Sequence, residues 1–308
     1  MGQRMLEHML LHPSYDVTAI WDPDPNACAS AQKIAPHVKI SDGPEDAIAR
    51  ADLVYLACPP IPRKAYALAA AEQGKAVFLE KPLGVDVAES RDLVQKLEAF
   101  DVPAAVNFTQ AAGDALRDVS DAAKTGAMGA LSGADIIVTY AAWPRAWQEA
   151  ADWLRFRAEG GMTREVISHF LFFCERVLGP LSVVWAQADY PADANLCETH
   201  IAARLITSDG LPVSLFGSIG GAQPDRQEVT IKGSKSSRRI NNFSQDTVSF
   251  GDAFAPVTAA DNDPRATSLK AQLDALELCL ARKPHPLATL QEALRVQILI
   301  ERILGTPV

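Results

Sequence analysis

A chain of 308 residues, 48% apolar and 22% charged, is long enough for two ordinary domains, each with its own core. With 29 basic against 38 acidic residues, a net charge of -9 and no dense basic run, it offers no electrostatic hold for nucleic acid or an anionic membrane. No apolar run approaches the ~18 residues of a membrane span, and no basic segment leads into an apolar signal core, so a cytoplasmic location is expected by default. Cys28, Cys58, Cys174, Cys197 and Cys279 are scattered and lack C-x-x-C spacing, which indicates neither a disulfide framework nor a zinc site.

From Met1 to about Asn107 helices alternate with short apolar strands, the pattern of a parallel sheet with crossover helices. Met5, Leu6, Met9 and Leu10 stripe a first helix that ends at His12-Pro13. VTAIW (Val17 to Trp21) reads as a strand stopped by Asp22-Pro23. A helix over Pro25 to Ile34 and a short strand near Val38 to Ser41 follow. DLVYLAC (Asp52 to Cys58) is a nearly continuous apolar run, expected where both faces of a strand are buried. Helices near Arg63 to Gln73 and Asp86 to Phe100 flank the strand AVFLE (Ala76 to Glu80), and PAAVNF (Pro103 to Phe108) closes the series. That makes five strands, whereas a dinucleotide-binding sheet has six, with the first at its centre and followed by G-x-G-x-x-G.

After Asn107 the texture changes. A helix near Asp114 to Thr125 leads into ALSGADIIVTY, SVVWAQADY, ETHIAARLITSDGLPVSLFGSIG, QEVTIKG and SRRINNF, which predict a second, mainly antiparallel sheet in an α+β domain. Two amphipathic helices close the chain, striped by Leu269, Leu273, Leu276 and Leu280 and by Leu290, Leu294 and Ile298. The expected division is a dinucleotide-binding domain over residues 1–108 and a substrate-binding and oligomerisation domain over 109–308. The last helices are expected to pack back on the first domain.

Asp22 closes a strand where a carboxylate can accept hydrogen bonds from both ribose hydroxyls of a dinucleotide and repel a 2′-phosphate, favouring NAD(H) over NADP(H). Asp22-Pro23-Asp24-Pro25 can equally be a turn leading into a helix cap. FLEKPLG (Phe78 to Gly84) sets Lys81 at the carboxyl end of a buried strand, where open α/β sheets bind ligands, with Pro82 fixing the chain behind it.

Together with EGGMTREVISHF (Glu159 to Phe170), Lys124-Thr125-Gly126-Ala127-Met128-Gly129, VTIKGSKSSRRI and LATLQEALRVQILIERIL, this order of features resembles the glucose-fructose oxidoreductase / inositol dehydrogenase / MocA family over nearly the whole chain. The resemblance implies a Rossmann-type domain joined to an α+β domain, with Lys81 aimed at the nicotinamide and the reacting carbon and His169 as the active-site histidine. Glu165 stands where the family usually has Asp. Cofactor contacts are implied at Gly2, Asp22, Cys58, Pro59, Pro60, Glu80, Lys81, Pro82 and Asn107, and in many relatives the Lys-Pro bond is cis. Arg63 stands where relatives tend to have His. Relatives commonly pair through the open face of the second sheet, so a homodimer or homotetramer is expected.

The chemistry agrees with these roles. Hydride transfer at a carbon needs a matched proton transfer at its oxygen, which a histidine performs near neutral pH and a lysine can assist. Glu165 and His169, at i and i+4, share a face of a helix, and Gly160-Gly161 lets backbone approach a ligand. An isolated histidine would instead be read as a satisfied core residue, and two ligands without a third make no metal site. The rings of Trp143, Trp147 and Trp153 can stack on a sugar or other flat ligand and Arg145 can bind a carboxylate or hydroxyls, or the tryptophans can fill a core or subunit interface. Asn107 is a cofactor or substrate contact, or a strand-end cap.

The function expected is therefore an NAD(H)-dependent oxidoreductase interconverting an alcohol and a carbonyl on a small polyol, sugar or related cyclic substrate. The alternatives are a non-catalytic nucleotide sensor on the same scaffold and a reductase of a dihydrodiol or imine ring. Met1-Gly2 looks like the end of the family's G-x-G-x-x-G, with Gly2 its third glycine. The stated start is accordingly expected to be an internal methionine, with about ten residues ahead of it for one strand and the loop.

Overall fold

The computed structural model describes residues 1–148, 151–259 and 261–306, and these form two compact units. The first unit comprises Met1–Phe108 with Asp263–Leu294, and the second Thr109–Asn262 with Arg295 onward.

The first unit runs α1 (Gly2–Leu11), β1 (Ala19–Ile20), α2 (Pro25–Ile34), β2 (Lys39–Ile40), α3 (Pro44–Ala49), β3 (Leu53–Leu56), α4 (Pro60–Glu72), β4 (Ala76–Glu80), α5 (Val87–Phe100) and β5 (Ala104–Asn107). All strand pairs are parallel, and they form two sheets, β1-β2 and β3-β4-β5. Helix starts follow from local chemistry. Asp24 caps α2 by accepting from the Asn26 N–H at 2.9 Å ahead of Pro25, and Asp86 caps α5 by accepting from the Glu89 N–H at 2.8 Å.

Burial follows position in the sheet. Every residue of β4 is buried, since strands flank it on both sides, whereas Leu53, Val54 and Tyr55 of β3 are only half-buried. This corrects the reading of DLVYLAC as a strand covered on both faces: β3 is an edge of its sheet. The strand expected over Val17 to Trp21 is likewise reduced to Ala19–Ile20.

The second unit opens with α6 (Asp114–Lys124) and β6 (Leu131–Tyr140). Two 3-10 turns (Ala146–Gln148 and Asp152–Arg155) lead to a π-helical turn (Thr163–Ile167) and α7 (Ser168–Leu178). Strands β7 (Leu181–Asp189), β8 (His200–Thr207), β9 (Pro212–Ile219), β10 (Arg226–Gly233), β11 (Ser237–Asn241), β12 (Gln245–Ser249) and β13 (Ala255–Pro256) follow. They join β6 in an eight-stranded sheet of order β13-β12-β11-β10-β6-β9-β8-β7. The sheet is mainly antiparallel, as expected, but β6 and β9 pair in parallel, so it is mixed. Alternating residues Ala134, Ile136 and Val138 of β6 face the core, and α7 packs against β6 and β10 with nearly every side chain buried.

Helix α8 (Pro264–Leu280) belongs to the first unit, where it packs on α1 and β5. Tyr15 donates to the Leu273 carbonyl at 2.7 Å, and Ser14 to Glu277 at 2.7 Å. Helix α9 (Leu290–Ile303) starts in the first unit and continues in the second. No helix among the described residues is long and apolar enough to cross a membrane, and none of their His, Cys, Asp and Glu side chains cluster as a metal site.

Candidate active site

Three neighbouring strand ends in the first unit carry polar side chains that a parallel sheet otherwise excludes. Register sets Glu80 of β4 beside Asn107 of β5, and the Asn107 amide donates to Glu80 Oε1 at 2.8 Å. The Tyr55 hydroxyl, from β3, donates to the same carboxylate oxygen. Burial, and after it the Glu80 charge, raises the Tyr55 phenol well above its ordinary pKa, so it stays a donor. Asn107 Oδ1 is buried and has no partner among the described residues, leaving an acceptor at the strand end.

Lys81 is the next residue along the chain from Glu80. It is buried, and the Lys81-Pro82 peptide is cis.

Arg63 explains how this strand end is held. It lies in the first turns of α4 and is 2% exposed. Its guanidinium donates to the carbonyls of Glu80 at 2.6 Å and Cys58 at 2.5 Å, and to that of Pro82. One cation thus ties the end of β3 to both sides of Lys81. The residue that departs from the family's histidine is a backbone clamp, and its partners are peptide oxygens.

Cys58, Pro59 and Pro60 form the turn from β3 into α4, with Pro60 as the first helical residue. Asp22 lies exposed past β1, where its Oδ1 accepts from the Asp24 N–H at 2.9 Å. The turn reading is therefore correct in geometry, and the carboxylate still faces solvent. A Cβ on Gly2 would come within 3.2 Å of Ala57 Cβ, a tight contact, so glycine eases the approach of the start of α1 to the end of β3. These residues suit a dinucleotide: a ten-residue helix opening at a glycine, an exposed carboxylate past a parallel strand, and an unsatisfied buried amide oxygen.

The second unit carries the other group. Glu165 lies in the π-helical turn, whose Ser168 N–H donates to the Thr163 carbonyl five residues back, and His169 in the first turn of α7. The expected i, i+4 pair is therefore not on a plain α-helix, because the chain changes winding between the two residues. His169 is 5% exposed. The Phe243 ring meets its ring edge-on at 5.3 Å and stacks on Phe170 at 5.3 Å. Phe243 sits at the turn between β11 and β12 with φ +70°, beside Asn242 at φ +48°, and its carbonyl accepts from Gln110 at 3.1 Å. A left-handed backbone at a bulky aromatic is a genuine outlier, held here by ring packing and by buried Gln110.

Gly160 and Gly161 are each required by this unit's own packing. A Cβ on Gly160 would fall 2.3 Å from the Leu154 carbonyl oxygen. One on Gly161, whose φ is +104°, would fall 2.4 Å from the Glu198 carboxylate. Glu198 is almost wholly buried and accepts from the Thr163 N–H at 2.7 Å. Its burial pushes the carboxyl pKa up.

Trp143, Arg145 and Trp147 come together. The Arg145 guanidinium stacks over both indoles, and its Nε donates to Gln148 at 2.9 Å. The Gln148 amide in turn makes a long 3.4 Å contact with Glu165 Oε1. Trp143 Nε1 donates to the Leu154 carbonyl at 2.9 Å. Trp153 makes no ring contact with this group among the described residues. Tyr55, Gln110, Tyr140, Gln148 and Phe243 escaped the sequence reading. Only Tyr55, a phenol in an apolar strand shortly before Cys58-Pro59, carried a signal there.

Residues 1–108 match the family described as an oxidoreductase family with an NAD-binding Rossmann fold. A search of the curated proteins found no match. Among solved structures, the chain is similar to the WlbA dehydrogenase from Bordetella pertussis in complex with NADH and UDP-GlcNAcA, at TM-score 0.82 and 20% identity, over 99% of this chain and 93% of that one. It is similar to myo-inositol 2-dehydrogenase from Lactobacillus plantarum at TM-score 0.80 and 17% identity, over 99% and 93%. A 3-ketoreductase from Actinomadura kijaniata, in complex with NADP and TDP-benzene, matches at TM-score 0.80 and 19% identity, over 97% and 92%. Residues 1–108 thus match the Gfo/Idh/MocA oxidoreductase family, and the whole length of the chain carries the fold of these dehydrogenases and reductases.

Proposed function

We propose that the protein is an NAD(H)-dependent oxidoreductase that interconverts an alcohol and a carbonyl on a small polyol, sugar or related cyclic substrate. The observation that supports this most directly is Lys81, buried at the carboxyl end of β4 with the backbone on either side of it held by Arg63. In this reading the first unit binds the dinucleotide and the second binds the substrate. The bound dinucleotide supplies the hydride acceptor or donor. Lys81 holds the reacting oxygen, and His169 takes or returns its proton, with Glu165 orienting the imidazole or accepting from a neighbouring hydroxyl.

Cofactor preference rests on Asp22, since the similar structures include both NADH and NADP complexes. A fluorescence titration should show NADH binding more tightly than NADPH, and Asp22→Ser should narrow the gap about tenfold or more, as loss of a charge-assisted contact predicts. Failure of the full chain to bind NADH would overturn the reading. Binding without turnover across polyols, sugars, dihydrodiols and imines would leave a nucleotide sensor instead.

We also propose a homodimer or homotetramer formed through the open face of the eight-stranded sheet, where Trp185 is 54% and Phe216 61% exposed. Sedimentation should show an assembly that Phe216→Glu dissociates. A wild-type monomer at micromolar concentration would refute this.

A further inference from the structure

Tyr140, the last residue of β6, is fully buried, yet its hydroxyl has no hydrogen-bond partner among the described residues. Buried hydroxyls are normally satisfied, so an orphan one asks for a partner that arrives from outside the chain. Beside it lies Arg145, whose guanidinium carbon is 5.2 Å from the centre of the Tyr140 ring, 5.7 Å from that of Trp143 and 4.6 Å from that of Trp147.

Three aromatic rings lie against the guanidinium, and Gln148 takes its Nε–H. What is left is the edge formed by its two terminal nitrogens, to which no described residue bonds. That edge is a planar fork matched to the two oxygens of a carboxylate, and three aromatic rings fix its orientation in advance. The phenol beside it remains a neutral donor: burial raises its pKa most, Arg145 lowers it, and Asp225 and Glu165 raise it.

Charge limits the ligand. The Glu165 and Asp225 carboxylates act on Tyr140 and oppose anion binding, so the one guanidinium of Arg145 offsets at most a single negative charge, which disfavours a phosphate dianion more than a monoanion. Gln148 links Arg145 to Glu165, so an acceptor for ligand hydroxyls lies one amide away from the fork.

We propose that Tyr140 and Arg145 form a carboxylate-binding subsite, and that the substrate is a polyhydroxylated monocarboxylate, a sugar acid held by its carboxylate at one end and by Glu165 at the other. This rests on the reading of His169 and Glu165 as substrate-facing groups. It goes beyond that reading by requiring an acid where a neutral polyol would otherwise serve.

The test compares D-glucuronate, D-galacturonate and D-gluconate with the corresponding methyl esters or lactone, binding to the full chain being followed by quenching of tryptophan fluorescence. At least one acid should bind about tenfold or more tightly than its neutral partner, the scale of a charge-assisted hydrogen-bond pair. Arg145→Gln should abolish the difference. Arg145→Lys, which keeps the charge without the fork, should lose most of it, and Tyr140→Phe should weaken the acids alone. Circular dichroism on each variant confirms folding, and Tyr140→Phe, the smallest change, carries the test if the arginine variants fail to fold.

Equal binding of every acid and its neutral partner, or a preference that survives both Arg145→Gln and Tyr140→Phe, would overturn the subsite. Since the assay needs neither NADH nor turnover, acid preference without turnover would sink the dehydrogenase reading and uphold the subsite. Turnover of neutral polyols without acid preference would do the reverse.

Discussion

Replacing His169 with asparagine should lower turnover by about 10²–10⁴-fold, the range for removing a general acid or base, while the NADH titration stays as in the wild-type chain. Asparagine keeps a planar polar group of similar reach against Phe243, so ring packing alone does not account for a loss of that size. It has no site that gains or loses a proton near neutral pH. If His169 is the group that moves the proton, the pH profile of kcat/KM should therefore differ between the variant and the wild-type chain. Under the proposed roles Lys81→Ala should cost a comparable factor, because the reacting oxygen would lose its cationic partner. The measurement is absorbance at the nicotinamide band over the substrate panel that gives wild-type activity. Persistence of turnover in the Lys81→Ala, His169→Ala double variant would show that both assignments are wrong.

Glu301→Ala should destabilise the protein by about 3–5 kcal/mol, the cost of stripping one partner from a buried ion pair. Arg164 Nε and Nη2 donate to the two oxygens of Glu301 at 2.8 Å each, with the carboxylate wholly buried and the arginine 7% exposed. The remaining nitrogen of Arg164 donates to the carbonyls of Arg157 at 2.7 Å and Gly160 at 3.2 Å. Removing Glu301 leaves that cation, beside the glycine segment, with only the Glu198 carboxylate to offset it at longer range. Arg164 also lies within the π-helical turn, next to Glu165, so turnover should fall along with stability. Joint replacement, Arg164→Met with Glu301→Leu, removes both charges and should recover much of the urea midpoint without recovering activity. A midpoint for Glu301→Ala within about 1 kcal/mol of wild type, below the usual range for such a pair, would show that the pair contributes little.

The sequence made the groups with chemical meaning legible better than the groups that hold them. Lys81 was readable because a charge at the end of an apolar run is conspicuous, and Glu165 and His169 because a histidine one turn after an acid, behind two glycines, is uncommon. Arg63 was visible only as a departure: an arginine after prolines at a helix start reads as solvated surface, and its three carbonyl partners come from two different strand ends. Phe243 and Gln110 are 133 residues apart, so no local pattern connects them. The half-exposure of Leu53 and Val54 depends on which strand neighbours them, which an apolar run does not state. The parallel pairing of β6 with β9 is equally non-local, since alternation along each strand is the same for either direction.

The π-helical turn at Thr163–Ile167 has a consequence for lineage and for engineering. Such a turn closes over one residue more than an α-helical turn, so it absorbs that residue without changing how the helix after it faces. Deleting a single residue there would let the segment relax to α-helix and leave α7 facing as it does, with His169 still against Phe243. Chains of this fold that differ by one residue at this point cannot be compared position by position across it. A one-residue gap here is the loss of the extra residue of the looser turn, and matching Glu165 to one relative and His169 to another would describe a geometry that neither protein has.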